Sequence, residues 1–352
     1  MPHLEKRPAG AGSPGPPGGI GRRRTLRLLA AVAGVGFPGL AGAGAAAIAG
    51  RDVPLWRWRG TALGAEAELA VAHPEPAAAK RLVGLALGEV ERLEAIFSLY
   101  RPDSALVRLN AGQHIDHPPL ELVELLTRAQ DWSRRTGGAF DVTVQPLWAL
   151  LSRHFSRPGA DRGGPPPRDL AAAAGLVGQR GLEVAPARIR LARPSMAVTL
   201  NGIAQGYITD RVADLLRGEG LDRVLVSLGE IRGVGRPADG RAWRVGLEAP
   251  GGSGGLPETI ELADQAVATS SVAGLRFDQA GRFHHLLDPL SGGCARGYRS
   301  ASVVAERACD ADALSTALAV AGRPLLAAAA LRDLGVTRIT VVEDDGRVRR
   351  LL

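Results

Sequence analysis

The sequence predicts an α+β fold, with mixed, largely antiparallel sheets and helices packed against them. Hydrophobic residues make up 45% of the 352 residues, which is sufficient for a large buried core. Most of the strand-like segments follow one another through turns rather than through regular crossover helices, and such connections favour antiparallel pairing. Asp345 and Gly346 lie between two such segments near the carboxyl end of the chain and predict a hairpin there.

The amino-terminal half of the chain shows one strand and two helices. Alternating residues predict a strand over 61–72, and apolar residues three and four apart predict a helix over 78–100. A second helix is predicted over 119–135, because the glycine pair 137–138 follows it and glycine suits the left-handed conformation that ends many helices. The Pro/Gly-rich segment 157–168 is expected to be a loop and is a candidate boundary between two lobes.

The carboxyl-terminal half combines strands and helices. Apolar residues at helical spacing predict the helices, and short runs rich in β-branched residues predict the strands. The flexible glycine-rich stretch 250–255 separates two of these strands. The predicted elements are a helix following Gly206, strands at 224–228, 243–247, 259–262 and 300–304, helices at 312–320 and 324–334, and a terminal hairpin of 337–342 with 348–352.

The positive charge of the chain is concentrated at its amino terminus. The formal net charge is +7, and the first 50 residues hold six Lys and Arg residues against one Glu. The rest of the chain is close to neutral, so no nucleic acid is expected as a partner. Consecutive arginines at 22–24 precede an uncharged Ala/Gly-rich stretch at 28–50, which is typical of a twin-arginine-like export signal.

We therefore expect residues 1–49 to be removed on export, which leaves one periplasmic domain, 50–352. The alternative is that the stretch 28–50, which is long enough to cross a bilayer, is retained as a membrane anchor. The cysteines of the chain, Cys294 and Cys309, have no zinc-binding spacing. Two free thiols and, in an oxidising compartment, a disulfide are both compatible with them.

Two glycine-containing segments could hold a ligand. The first, 137–147, begins with the glycine pair, which lets the backbone approach another molecule closely, and Asp141 and Thr143 could hydrogen-bond that molecule. The alternative is a helix C-cap, with Asp141 capping the next turn. The second, 199–207, places glycine-flanked backbone before a helix, where free N–H groups suit phosphate. An ordinary loop is the alternative for this segment.

Two further segments carry residues for acid–base and metal chemistry. Within 284–293 a histidine can take a proton from an alcohol near neutral pH, and Asp288, before a proline-initiated turn, can orient it. A structural histidine is the alternative. On the helix predicted at 312–320, Asp312 and Thr316 are four residues apart and share one face. Such oxygen ligands suit Mg²⁺, and the alternative is an N-cap aspartate followed by a solvated turn.

Five segments, in their order along the chain, resemble motifs of the bacterial FAD:protein FMN transferases, the ApbE family. They are YRPDSALVRLN (100–110), TGGAFDVTVQPLW (136–148), LNGIAQGYITD (200–210), HHLLDPLSGG (284–293) and ADALSTAL (311–318). The resemblance, which spans about residues 60–335, implies Mg²⁺-dependent transfer of FMN from FAD to a threonine hydroxyl of a partner protein, with release of AMP. The leader and the LNGIAQGY motif are similar to the branch of the family associated with nitrous oxide respiration.

The resemblance also implies residues for the metal and for proton transfer. Mg²⁺ would be bound by the carboxylate of Asp312, the hydroxyl of Thr316 and the backbone carbonyl of Gly202. Ser315, where some relatives have Asp, is a further candidate ligand. His285 would be the general base for the acceptor threonine. These roles agree with the chemistry of phosphoryl-type transfer, which needs a metal on the pyrophosphate and a positioned alcohol.

The same resemblance implies the residues that hold FAD, which are Leu63, Ala139, Phe140, Asp141, Thr199, Gln205 and Leu287. Thr199 and Gln205 depart from the commonest family pattern, in which Asp and Lys stand at these positions. Two other functions therefore stay open: a non-catalytic FAD-binding maturation factor, and a Mg²⁺-dependent FAD pyrophosphatase in which water replaces the alcohol. The acceptor protein, which could be associated with a membrane, is not identified by the sequence.

Overall fold

The computed structural model describes residues 53–63, 65–237, 240–247 and 258–352, so the predicted export signal, the alternative membrane anchor and the stretch 250–255 lie outside the described residues. Within these ranges no helix is both long and apolar enough to cross a bilayer. The helices and strands, numbered in chain order, are β1 (Leu55–Ala62), β2 (Ala65–Ala72), α1 (Pro76–Phe97), α2 (Ala105–Gly112), β3 (His114–Asp116), α3 (Leu120–Arg135), α4 (Gln145–Phe155), α5 (Pro167–Ala174), β4 (Leu182–Ala185), β5 (Arg188–Leu191), α6 (Ala204–Gly218), β6 (Val224–Ser227), β7 (Ile231–Val234), β8 (Trp243–Leu247), β9 (Glu258–Leu262), β10 (Gln265–Ser271), β11 (Ser300–Ala305), α7 (Ala308–Ala321), α8 (Ala328–Asp333), β12 (Val336–Val342) and β13 (Val348–Arg350).

An eight-stranded sheet forms the centre of the described part of the chain. Its strands lie in the order β1-β2-β6-β7-β10-β11-β12-β13, and every neighbouring pair is antiparallel. β8 and β9 form a separate hairpin, and β3, β5 and β4 form a small three-stranded sheet. The predicted α+β class with largely antiparallel sheets is confirmed.

Both faces of the large sheet are buried. On one face Leu69 and Val71 of β2 belong to the main core, which also contains the apolar sides of α1, α6 and α7. On the other face Ala70, which lies between them in β2, packs with Trp243 and Val245 of the β8–β9 hairpin. Because the sheet is covered on both sides, a central strand such as β11 is buried at every position rather than at every second one.

Helices α6 and α7 approach each other closely, and a glycine makes this possible. A Cβ atom on Gly206, in the first turn of α6, would lie only 2.3 Å from the carbonyl oxygen of Ala308, at the start of α7. Any side chain at this position would force the two helices apart. The contact brings together the two helices that carry most of the predicted metal and phosphate positions.

The structure confirms several local predictions. Helix α3 ends at Arg135, and the glycine pair 137–138 that follows it has left-handed φ angles of 62° and 86°. β8 and β9 pair as expected, with Trp243 opposite Leu262. β12 and β13 form the predicted terminal hairpin. In each case the local pattern and the tertiary contacts favour the same conformation.

The segment predicted as one strand, 61–72, is instead part of a hairpin. It contains the end of β1 and all of β2, which pair with Ala62 opposite Ala65. Alternation of side chains is the same in both arms of a hairpin and could not reveal the turn between them. At this turn Leu63 adopts a left-handed φ of 55°, which is rare for a residue other than glycine, Asn or Asp.

Other boundaries also differ from the predictions. The helix predicted at 312–320 begins earlier, at Ala308. Asp312 is therefore a residue of the helix interior, and the N-cap alternative for it is wrong. The helix predicted at 324–334 is shorter, because α8 covers only Ala328–Asp333. Helices α2, α4 and α5, and the small sheet of β3, β4 and β5, were not predicted.

Candidate active site

Asp312 lies buried where α6 and α7 meet. It is 3% exposed, and its Oδ2 atom accepts a hydrogen bond from the backbone N–H of Gly206 at 3.1 Å. Burial raises the pKa of Asp312 to about 7. Glu230 is close enough that burial and the charge of Asp312 together raise the pKa of Glu230 well above its ordinary value. A cation at this place would relieve the cost of burying carboxylate charge.

Thr316 lies one helical turn after Asp312 and beside Gly202. A Cβ atom on Gly202 would lie 3.0 Å from Thr316 Oγ1 and 3.4 Å from an edge carbon of the Phe140 ring. The missing side chain of Gly202 therefore lets its backbone approach the Thr316 hydroxyl group and the Phe140 ring closely. Thr316 Oγ1 also forms a hydrogen bond with Ser270 Oγ, at 3.0 Å.

These groups fit a hard divalent cation. Mg²⁺ binds through a small number of protein oxygen atoms and keeps positions for water and phosphate oxygens. The described residues contain no group of three His, Cys, Asp or Glu side chains that could hold a metal, so a site here depends on hydroxyl and carbonyl oxygens as well as a carboxylate. Asp312, Thr316 and Gly202 have these atom types: Thr316 adjoins Gly202 and lies one helical turn after Asp312.

A buried ion-pair network holds the beginning of α7. Asp210 of α6, which is 1% exposed, accepts hydrogen bonds from the backbone N–H groups of Ala308 and Cys309, both at 3.0 Å. Its carboxylate also accepts a hydrogen bond from Arg232 Nη1 at 2.8 Å and lies 3.3 Å from Arg307 Nε. Asp210 thus caps α7 from a neighbouring helix. This cap fixes the helix that carries the predicted metal ligands.

A second contact joins α7 to α3. The guanidinium group of Arg128 donates two hydrogen bonds to the carboxylate of Asp310, at 2.9 and 2.6 Å. Trp132 Nε1 donates a third, at 2.9 Å. The first turn of α7 is therefore held from two sides, and paired donors of this kind restrict both the position and the rotation of the helix.

Three residues at the site were not predicted as site residues from the sequence: Asp210, Glu230 and Ser270. The available signals were weak: the three residues are buried polar residues, Asp210 in α6, Glu230 in the turn between β6 and β7, and Ser270 in β10. Their partners are distant in the chain, since Asp210 and Ala308 are 98 residues apart and Ser270 and Ser315 are 45 apart. Patterns within a short window could not reveal such contacts.

The predicted flavin segment 139–141 lies close to Gly202. Ala139 and Phe140 are buried, and the Phe140 ring faces Gly202. The carboxylate of Asp141 is occupied within the protein, because it accepts hydrogen bonds from Thr143 N–H at 2.8 Å, from the Thr143 hydroxyl at 2.6 Å and from Gln179 N–H at 2.8 Å. The alternative in which Asp141 caps the next turn is confirmed.

Thr199 lies in the loop that precedes α6, and Gln205 lies in the first turn of α6. The N–H of Thr199 donates to the carbonyl of Val142 at 2.8 Å and so ties this loop to the residue that follows the flavin segment. The side chain of Gln205 lies against Gly229, where a Cβ atom would be 2.6 Å from Gln205 Nε2. Because Gln205 is neutral, this position supplies no positive charge for a phosphate.

Leu63 and Leu287 are positioned by other elements. Leu63, at the β1–β2 turn, donates its N–H to Glu94 Oε1 of α1 at 2.9 Å. Leu287 is buried in a small cluster with Leu147 and Leu151 of α4. The hydrogen bonds and core clusters of the described residues do not join either residue directly to Asp312, so their predicted contacts with FAD stay predictions.

His285 is held in one tautomer. Its Nδ1 lies 3.1 Å from the carbonyl oxygen of Leu275, which also accepts the backbone N–H of His285 at 3.0 Å. A carbonyl oxygen can only accept, so Nδ1 carries the hydrogen and the neutral ring keeps an unprotonated Nε2. Burial lowers the pKa of His285 to about 4. The ring is therefore neutral, and able to act as a base, near pH 7.

Asp288 does not orient His285 in the way the sequence suggested. Its Oδ1 accepts a hydrogen bond from the N–H of Leu290, at 2.9 Å, within its own turn. The orienting group is the carbonyl of Leu275, which belongs to a neighbouring segment and could not be identified from local spacing. Here tertiary contact supplies a function that a nearby carboxylate was expected to perform.

The neighbouring His284 has a different environment. Its side chain is 5% exposed, and its Nδ1 atom has no hydrogen-bond partner among the residues described. Its backbone N–H lies 3.4 Å from Cys294 Sγ. Cys294 and Cys309 are both free thiols, so the structure favours the first of the two alternatives for the cysteines. The adjacent histidines are thus distinguished by their surroundings.

The histidine segment borders the glycine pair. A Cβ atom on Gly138 would lie 3.4 Å from Leu290 Cδ2, and Leu290 is 74% exposed. The segments 284–293 and 137–141 are therefore neighbours, and the second of them reaches Gly202. An antiparallel α+β fold that combines a neutral histidine with a buried carboxylate–hydroxyl pair has the parts of a group-transfer enzyme.

Comparison with known proteins agrees with this class. The model of the ApbE family matches residues 63–337, and the chain belongs to the ApbE family. A FAD:protein FMN transferase of Treponema pallidum is 33% identical over 281 residues, which are 74% of this chain and 76% of that protein. One from Vibrio cholerae is 33% identical over 266 residues, 73% of this chain and 78% of that protein. The crystal structure of the apo form of the Pseudomonas stutzeri flavinyl transferase ApbE superposes with a TM-score of 0.72 at 29% identity, and the match covers 84% of this chain and 94% of that one.

Proposed function

We propose that this chain transfers the FMN half of FAD to the hydroxyl group of a threonine in a partner protein and releases AMP. The observation that carries the proposal is that Thr316 lies beside Gly202 and Phe140, one helical turn after the buried Asp312. Oxygen ligands of this kind beside a buried aromatic ring would suit a dinucleotide with a pyrophosphate, which supports the proposal. The relatives from T. pallidum and V. cholerae, which are named FAD:protein FMN transferase, support the same reaction.

Mg²⁺ would be held by the carboxylate of Asp312, the hydroxyl of Thr316 and the backbone carbonyl of Gly202. When bound, Mg²⁺ neutralises negative charge on the pyrophosphate oxygens. The contribution of the protein is to fix these ligands in advance, through the cap that Asp210 places on α7 and through the hydrogen bond that Gly206 donates to Asp312.

His285 would supply the base. Its unprotonated Nε2 accepts the proton of the threonine hydroxyl, and the threonine oxygen forms a bond to the phosphorus atom of the FMN half. The bond between that phosphorus and the bridging oxygen breaks, and AMP leaves with the electron pair. The proton on His285 then passes to solvent, so the reaction consumes FAD and the threonine hydroxyl and yields a phosphoester-linked flavin, AMP and one proton.

We further propose that the reaction takes place after export. The consecutive arginines at 22–24 and the Ala/Gly-rich stretch at 28–50 support removal of residues 1–49 and a periplasmic location. The acceptor would then be a protein whose threonine faces the same compartment, either soluble there or associated with the membrane. Charge gives no reason to expect a nucleic acid as a partner.

The proposal is tested by incubating residues 50–352 with FAD, Mg²⁺ and a candidate acceptor protein, with an acceptor variant in which valine replaces the target threonine as the control. Transfer predicts one covalently bound flavin per acceptor and one AMP released, with neither product from the valine variant. Free FMN and AMP in both samples would indicate a pyrophosphatase instead. Tight FAD binding without any product would indicate a maturation factor that binds FAD without catalysis.

A further inference from the structure

Three hydroxyl groups form a buried chain next to the proposed metal ligands. Ser270 Oγ of β10 lies 2.9 Å from Ser315 Oγ and 3.0 Å from Thr316 Oγ1, both of α7. Ser315 Oγ in turn donates a hydrogen bond to the backbone carbonyl of Asp312 at 3.0 Å. Ser315 is fully buried, and Ser270 is 8% exposed, so water offers these groups few alternative partners.

The direction of this chain follows from its end point. A backbone carbonyl can only accept, so the single hydrogen of the Ser315 hydroxyl is used on Asp312. Ser315 must therefore accept from Ser270, which uses the single hydrogen of Ser270. Ser270 must then accept from Thr316. Each donor in this sequence has one hydrogen, and the order of donation is fixed from the carbonyl back to Thr316.

We propose that Ser270 and Ser315 are positioning residues that engage the hydroxyl hydrogen of Thr316 and so leave the lone pairs of Thr316 Oγ1 for a cation bound beside Gly202. This inference rests on the proposed function and adds to it a reason why the site needs a divalent cation. Thr316 Oγ1 lies directly against the Gly202 backbone, since a Cβ atom on Gly202 would lie 3.0 Å from it.

The fixed direction selects between two kinds of ligand. The oxygens of a pyrophosphate are hydrogen-bond acceptors, and a Thr316 hydroxyl that turned its hydrogen towards them would bind them without a metal. With the hydrogen engaged by Ser270, Thr316 presents only lone pairs, which repel phosphate oxygens and attract a cation. A divalent cation between Thr316 and the pyrophosphate satisfies both groups. The serines would thus make dinucleotide binding depend on the metal.

The test uses Ser270→Ala and Ser315→Ala in residues 50–352, with Mn²⁺ as an observable substitute for Mg²⁺. The measurement is the dissociation constant of Mn²⁺ by electron paramagnetic resonance in the presence of FAD. Each variant should weaken Mn²⁺ binding about 10-fold, as is usual when a group that orients a metal ligand is lost. The double variant should bind Mn²⁺ no more weakly than either single variant, because both substitutions break the same row of hydrogen bonds. FAD binding without metal should be at least as tight as in the wild type.

Ser302→Ala is the matched control. Ser302 lies on β11 and is 7% exposed. Its hydroxyl forms a hydrogen bond at 2.9 Å with the hydroxyl of Thr269, the residue before Ser270. It should bind Mn²⁺ like the wild type. Thermal unfolding of all variants checks that each is folded. The Ser315 hydroxyl is fully buried and engaged with Ser270 and the Asp312 carbonyl, so Ser315 is a positioning residue here and not the metal ligand that the resemblance also offered. It makes no hydrogen bond with Thr316 itself, so its effect is the decisive one.

If Ser315→Ala bound Mn²⁺ with wild-type affinity, the proposal would be overturned. Ser270 would then be a hydrogen-bonding neighbour of Thr316 that does not orient its hydroxyl for the metal. Equal weakening in Ser302→Ala would also overturn it, since the effect would then come from the sheet as a whole. Absence of Mn²⁺ binding in the wild type would do the same. Failure of the proposed function would give a different result. The wild type and the variants would show the predicted relative affinities for Mn²⁺, but the wild type would transfer no flavin.

Discussion

Replacing Asp210 with alanine should destabilise the protein by about 4 kcal/mol. The Asp210 side chain is 1% exposed and its partner Arg232 is 6% exposed. Removal of one member of a buried pair costs about 3 kcal/mol at the lower end of the usual range. The lower end applies because Arg232 keeps Asp214 as a partner at 3.0 Å. Loss of the cap on the N–H groups of Ala308 and Cys309 adds about 1 kcal/mol.

The assay is urea unfolding of residues 50–352, followed by circular dichroism, together with a thermal scan. The expected loss corresponds to a fall in the melting temperature of about 8 °C. Glu219→Ala is the control, because Glu219 follows the same helix but pairs with Arg81 in an exposed ion pair, whose loss should cost less than about 1 kcal/mol. A free energy of unfolding for Asp210→Ala within about 1 kcal/mol of the control would refute the reasoning, since it would show that the cap and the buried pair do not hold α7.

Four further outcomes are expected. Amino-terminal sequencing of the exported protein should find residues 1–49 removed, and a terminus before residue 22 would contradict cleavage. In rate assays at limiting Mg²⁺, Asp312→Ala should abolish Mg²⁺-dependent transfer and Thr316→Val should reduce it. An undiminished rate would show that these residues do not belong to the site. His285→Ala should bind FAD but transfer FMN about 10² to 10⁴ times more slowly, whereas His284→Ala should mainly lower stability; equal losses of rate would indicate local collapse. Burial lowers the pKa of His285 to about 4, so the ring stays unprotonated down to that pH. The transfer rate at saturating Mg²⁺ should therefore not change through titration of His285 between about pH 8 and about pH 5, and it should fall near pH 4. A step near pH 6.5, the ordinary pKa of histidine, would contradict the assigned environment.

Several features could be predicted from the sequence because they depend on neighbours in the chain. The glycine pair after α3 ends a helix through its own conformational freedom. The helical spacing between Asp312 and Thr316 places both on one face of a helix wherever that helix lies in the fold. The ordered motifs also identified the family and the residues that meet at the α6–α7 junction.

Other features were decided only by the tertiary structure. The carboxylate of Asp312 meets the N–H of Gly206 across 106 residues of sequence, and its burial, rather than its residue type, raises its pKa to about 7. The tautomer of His285 depends on the carbonyl of Leu275, and the direction of the hydroxyl chain at Thr316 depends on which groups happen to adjoin it. A sequence determines which atoms can donate or accept and how residues repeat along one element. The packing of distant elements determines which of those atoms lose water and find a partner, and it is this desolvation and pairing that sets protonation and hydrogen-bond direction.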